Sequence, residues 1–266
     1  MLLAHAAWVA PPAVVGAAVL AAGLFAQGWL RLRRRNRKDL ASWWRVVLFG
    51  LGLAAALAGL VTPIHSIGEH HLLSVHMLQH VLIGDLSPAL LVTAVRGPLL
   101  VFLIPARVLG PLARSPLRAL LGALLRPPVA FGLWAANLAL WHVPRLYDKA
   151  LFHPALHDAE HVCWVASGLL VWTLLVDPGG HRRLSVGGRV ALAAAMFACG
   201  QVLTDVLVFT FHVIYAPYGR PAYGLSPVTD QQLAGVVMMV EQLLTLGTLV
   251  ALLLRPRLRL ARLAAA

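Results

Sequence analysis

Charge is scarce in this 266-residue sequence: only 12% of its residues are Asp, Glu, Lys or Arg, and the acidic ones number 10. A soluble domain carries about 25% charged residues, so a water-facing globule is excluded. Cysteine is equally sparse. Cys163 and Cys199 are the only two, too few for a disulfide scaffold, and both read as buried thiols within helices. No nucleophile–base triad, P-loop or glycine-rich cofactor fingerprint is present, so an enzyme is not expected. The alternation over about ten residues that marks a membrane barrel strand is missing too.

What is present is apolar: 60% of residues are hydrophobic and the mean hydropathy is +0.79. Seven continuous runs, rich in Leu and Ala, are long enough to cross a bilayer. They fall at about 10–30, 43–63, 72–95, 127–144, 157–176, 189–213 and 231–254. The fold class is therefore all-α, a seven-helix polytopic bundle forming one integral membrane domain over residues 1–266. The first run has no basic segment before it and reads as a retained helix, not a signal peptide. Between the third and fourth runs, Leu109, Leu112, Leu117, Leu120, Leu121, Leu124 and Leu125 oppose Arg114 and Arg118, the pattern of a helix lying in the interface. The loop YAPYGRPAYGLSPVTD, after the sixth run, is expected to pack over the outer mouth of the bundle.

A net charge of +12 raises nucleic acid as a partner. Its distribution argues for the lipid bilayer instead. With loops assigned to alternate sides, all 22 Lys and Arg except Arg145, Lys149 and Arg220 fall on one side. That asymmetry places the N-terminus outside and the C-terminus in the cytoplasm, and the surplus anchors anionic headgroups.

The 12 histidines sort the opposite way, only His181 falling on the cytoplasmic side. His76 and His80 lie four apart in the third run, and His157 and His161 four apart in the fifth. Residues four apart share one helix face. Both helices run inward from outside, so the two pairs lie at matched depth and can face one another, an arrangement suited to a metal ion or a haem. His142 and His212 close the outer ends of the fourth and sixth runs and are candidates to complete the site. His65, His70, His71 and His153 read as solvated, and His5 and His181 as incidental. Asp85, Glu160, Asp205 and Glu241 either lock the bundle or accept the free N–H of a ligating histidine. Nearby Met77, Met238 and Met239 offer thioethers that suit Cu(I), although zinc also accepts histidine.

HMLQH at 76–80, WHVPRLYDKAL at 141–151, LHDAEH at 156–161 and DQQLAG at 230–235 occur in that order. Together they resemble the membrane-embedded CtaG family, associated with assembly of caa-type cytochrome c oxidase in bacteria. That family is distinct from the single-span copper chaperones that share its name. Where the family often carries Trp after DQQLAG and its following Met, Met239 stands here. The resemblance covers the chain from about the second run to the seventh. It implies a plasma-membrane assembly factor that acts on the copper centres of a respiratory oxidase, with oxidase subunits as partners. Asp230, in DQQLAG, joins the polar residues expected to support the site. Three readings stay open: a copper-handling assembly factor, a haem-binding electron carrier, and a metal-free membrane scaffold.

Overall fold

The structure is a computed structural model that describes residue 8 and residues 10–265; His5 lies outside them. Its elements in chain order are α1 (Pro12–Arg34), α2 (Trp43–Val61), α3 (Pro63–His70), α4 (Leu73–Val81), a π-helical turn (Leu82–Leu86) and α5 (Ser87–Ala94). There follow α6 (Pro98–Leu103), α7 (Ala106–Arg114), α8 (Pro116–Leu124), α9 (Pro127–Trp141), α10 (Pro144–Leu151), α11 (Pro154–Val176), α12 (Val186–Phe209) and α13 (Pro227–Ala265). Eight of these begin on a proline. Proline suits the first turn because its missing N–H would be unpaired there anyway. Many of the 17 prolines therefore punctuate the chain without kinking its spans.

Six helical stretches are long and apolar enough to cross a membrane: α1, α2, Leu73–Ala94, α11, α12 and Pro227–Pro256. A seventh arises if α8 and α9, bent by 72° at their junction, act as one span. Alone, the 15 residues of α9 rise about 22 Å, short of a hydrocarbon core of about 30 Å. The interfacial helix expected over 108–126, within the interruption 96–126, is instead divided between α7 and α8, with α6 before them. Pro105 and Pro116 open α7 and α8, because the residue before a proline disfavours helical backbone.

Two spans form the centre. Leu73–Ala94 and α11 have 61% and 56% of their apolar windows buried, against 28% or less for the other four. Between them pack Met77, Ile83, Trp134, Trp164, Trp172 and Leu175. Their approach rests on Gly168, where a Cβ would collide with the Gly84 carbonyl of the π turn. Pro88 lies four residues after Gly84 and supplies no N–H for that carbonyl. The helix widens there by one residue, and the π turn carries Asp85. A second cluster (Phe25, Leu32, Ala41, Phe49, Ala94, Leu99) holds α1 and α2 at the basic end. Here the buried Arg45 guanidinium donates to the Ala94 and Arg96 carbonyls, closing the C-terminus of α5.

The opposite end is tied together by the start of α13. No side chain of its own caps α4. The buried Asp230 carboxylate does so from α13, accepting from the backbone N–H groups of Leu73 (2.6 Å) and Ser74 (3.1 Å) and from the Ser74 hydroxyl. Next to it, Gln231 Nε2 donates to the carbonyls of Leu207, Thr210 and His212, and its Oε1 accepts from Ile214 N–H. Gln232 Nε2 reaches the Val208 carbonyl. The three side chains thus close the start of α4 and the end of α12. Replacing Asp230 by Ala is expected to cost about 2 kcal/mol or more, read as a thermal-unfolding midpoint several degrees lower in detergent. An unchanged midpoint would mean that this cap carries no stability.

Candidate metal centre

The cluster stands at the capped end of α4, away from the basic belt. His76 and His80 on α4 and His157 and Glu160 on α11 each offer one ligand atom, and these atoms all lie within 4.8 Å of one another. All four residues are buried. Helical spacing explains the set: 76 and 80 share one face, 157 and 160 another, and the two central helices turn those faces together.

Hydrogen bonds fix which nitrogens remain available. Tyr218 Oη lies 2.8 Å from the Gly68 carbonyl, which can only accept, so the hydroxyl proton points there. Burial pushes the Tyr218 hydroxyl well above the ordinary tyrosine range, so it keeps that proton. Its 2.8 Å contact with His76 Nδ1 must then use a proton from the imidazole. His76 is therefore the Nδ1–H tautomer, and its Nε2 lone pair faces the cluster. His157 is oriented alike, with Glu69 Oε1 2.8 Å from its Nδ1 and Nε2 without a partner. His142 gives its Nδ1–H to the Leu138 carbonyl at 2.8 Å, and its buried Nε2 also has no partner. His76 Nε2 and His80 Nε2 are 2.9 Å apart. With His76 Nε2 a bare acceptor, His80 Nε2 carries the proton of this contact, and a cation bound here would shift it to the unpartnered Nδ1 of the same neutral His80 ring. Glu160 Oε1 is 3.6 Å from His80 Nε2 and takes a 3.5 Å bond from Trp164 Nε1.

Of the remaining expected ligands, His161 is buried beside the four. Its ring centroid is 4.2 Å from that of His157 and 5.7 Å from that of His80, and its Nε2 is unpartnered. His142 sits one layer lower, against Trp164 and Tyr147. His212 does not join. The helix expected to reach residue 213 ends at Phe209, where Gln231 takes the outgoing carbonyls, and His212 is exposed. Asp205, expected to lock the bundle or support a histidine, points outward and is held by Gln201 Nε2 at 2.7 Å. Glu160, expected as support, stands among the possible ligands. Asp85 and Glu241 line a cavity beneath the cluster, and Asp230 serves as the cap of α4. Met77 and Met238 line that cavity as well.

Glu69, Tyr218 and Tyr147 were missed in the sequence. Glu69 had a signal: it lies four residues after His65 on α3, and the two approach to 3.1 Å. Burial raises the Glu69 carboxyl, but the bond from His157 and the nearby His157, His65 and His70 outweigh it and hold the group below the usual carboxylate value. Burial lowers His65, opposed in part by Glu69. A depressed Glu69 stabilises the fold above its unfolded-state pKa and loses that contribution as pH falls through the folded value. For His65 the unfolded chain takes the proton first, so stability again falls on acidification below about 6.5. Glu69 loses its contribution only below about 4.5, so from pH 7.5 to 5 the His65 effect operates: the apparent melting temperature of metal-free protein is expected to drop across that range, and His65→Asn to recover part of the drop. An equal drop in both proteins contradicts the assignment.

A model of the family described as cytochrome c oxidase caa3 assembly factor (Caa3_CtaG) matches residues 23–259. Neither a curated protein nor a solved structure matches the chain. The match runs from the middle of α1 through most of α13 and takes in every residue of the cluster. The chain thus belongs to the caa3-type cytochrome c oxidase assembly factor family, CtaG.

Proposed function

We propose that this membrane protein handles copper, as cargo, at the buried imidazole cluster while the copper centres of a caa-type oxidase are assembled. The family supplies the process. What carries the metal is one observation: His76 and His157 have their Nδ1 positions engaged by Tyr218 and Glu69, while their Nε2 atoms converge with His80 and Glu160 inside 4.8 Å. Fixing the tautomer from behind is how proteins orient histidine ligands. Imidazole suits copper and zinc alike; the oxidase context and the two methionines in the adjoining cavity favour copper.

A single ion is favoured over a haem. The ligand atoms crowd within 4.8 Å, and the adjoining cavity, about 40 Å³, has room for a few waters and none for a porphyrin. The protein is read as a carrier, not an enzyme, in a bacterial plasma membrane. Its N-terminus and cluster face outward and its basic belt faces the cytoplasm. Glu69 and His65, only partly buried, border the cluster and form its entry. His65, His157, His161, His80 and His76 form a chain of rings with centroids 4.2–6.2 Å apart. Such a chain lets ligands exchange one at a time, as cargo transfer to an oxidase subunit requires.

The test is the metal content of protein purified without chelator. About one copper per chain is expected, with occupancy falling together in His76→Ala, His80→Ala and His157→Ala and unchanged in His212→Ala. Equal, low copper in all of these, or a Soret band of about one haem per chain, overturns the reading. Tyr218→Phe keeps the ring but frees His76 Nδ1, and is expected to weaken copper binding roughly 10- to 100-fold. Occupancy is also expected to fall between pH 8 and pH 5, since neutral imidazole is the ligand.

A further inference from the structure

Beneath the cluster lies the cavity of about 40 Å³, lined on one side by His80 and His142 and on the other by Asp85, Glu241 and Gln242. At roughly 10–15 Å³ of such volume per molecule, it has room for about three waters. His80 Nδ1 and His142 Nε2 are buried without partners, so polar atoms at its upper end call for water there. At its lower end two carboxyl groups face each other. Asp85 accepts from Trp172 Nε1, and its other neighbour is the Glu241 carboxyl.

Both Glu241 oxygens are buried, and the Thr245 hydroxyl beside them donates instead to the Glu241 main-chain carbonyl at 3.1 Å. The groove on the far side of Glu241 is apolar, formed by Leu78, Val81, Leu82, Leu86 and Val237 among others. Titratable groups on the surrounding elements are few. His80 on α4 and His142 after α9 line the cavity, and Glu160 on α11 is turned to the cluster. Arg45 of α2 is committed to the far end of α5, and Asp205 of α12 faces outward. Among the described residues neither Asp85 nor Glu241 has an ion-pair partner. With no counter-charge in reach, an ionised carboxylate in this apolar interior is costly and both rest protonated; when one ionises, the other must keep its proton to pair with it. Glu241, with no N–H directed at its carboxyl, is the one that must donate. Asp85, with Trp172 N–H and the Glu241 O–H directed at it, has the surroundings of a carboxyl that can ionise.

We propose that Asp85 is a proton-exchange site coupled to cation loading: its O–H bond breaks as a monovalent cation binds the imidazole cluster, and the proton leaves through the cavity water. This rests on the cluster being a cation site. One positive charge enters and one leaves, so the net charge of the apolar interior stays constant, avoiding the cost of an uncompensated ion. Glu241 keeps its proton and holds the new carboxylate by a hydrogen bond. Nothing is oxidised or reduced.

The experiment loads purified full-length protein with Cu⁺ under anaerobic conditions at pH 7. Protons released per ion are counted by calorimetry in buffers of different ionisation enthalpy, with infrared difference spectra in parallel. Wild type is expected to release about one proton more per ion than Asp85→Asn, and loading is expected to bleach a protonated-carboxyl band. Glu241→Gln, whose amide can still donate to Asp85, is expected to retain the release; Glu241→Leu is expected to lose it. Cu⁺ bound with no bleached carboxyl band, or with the same proton count in wild type and Asp85→Asn, overturns the exchange alone. Failure of wild type to bind Cu⁺ overturns the cluster reading and the exchange with it. Should Asp85→Asn not fold, the comparison with Glu241→Leu decides: release and bleached band unchanged in that variant overturn the exchange.

Discussion

The position of the cluster depends on one carboxylate. A helix that starts inside a bundle exposes backbone N–H groups with no partner, and in an apolar surrounding each is expensive. Helix α4 starts this way, and Asp230 answers from α13 with acceptors for Leu73, Ser74 and the Ser74 hydroxyl. His76 comes two residues later and His80 one turn beyond. Gln231 and Gln232 tie the same segment to the end of α12. The DQQ triplet thereby settles where one imidazole pair begins, and why the chain leaves α12 before His212.

The spans were legible because their signal is additive: each rests on about twenty residues, and one error does not erase it. Matched depth of the two His pairs was legible for a related reason. It followed from counting loops and from the period of a helix, and the span Leu73–Ala94 and α11 do run side by side. Where the spans end was less legible. Residues 109–125 carry an amphipathic pattern, but Pro116 divides it. The π turn at Leu82–Leu86 arises from Pro88 and from the close passage of Gly168 past Gly84; the second of these is a tertiary fact that no local pattern contains.

Within the site, His76, His80, His157 and His161 could be found because four-residue spacing encodes a shared face. Their supports lie far away in sequence: Tyr218 is 142 residues from His76. Asp205 shows the reverse failure. It was read as a support within a run taken to continue through residue 213, whereas the last helical residue is Phe209 and Asp205 lies exposed on the outer face. Glu160 was read as an accessory because it adjoins a histidine, yet three residues beyond His157 is the position that shares its face.

Polar residues in this membrane protein separate by whether their hydrogen bonds close. Asp230, Gln231 and Arg45 are saturated by backbone groups, and that saturation is what holds helix ends in place. Asp205 and Gln201 satisfy each other on an outer face. The imidazoles differ: with Nδ1 committed at His76, His142 and His157, the lone pairs on Nε2 turn inward, and those of His142, His157 and His161 meet no donor. An unpaired buried polar atom costs about 1–3 kcal/mol, and a bundle serving only as scaffold would gain by replacing several of them with Leu. Of these three, His157 Nε2 is the one that converges with His76, His80 and Glu160, and in the copper-handling reading proposed above a cation held among those four atoms would offset part of the cost.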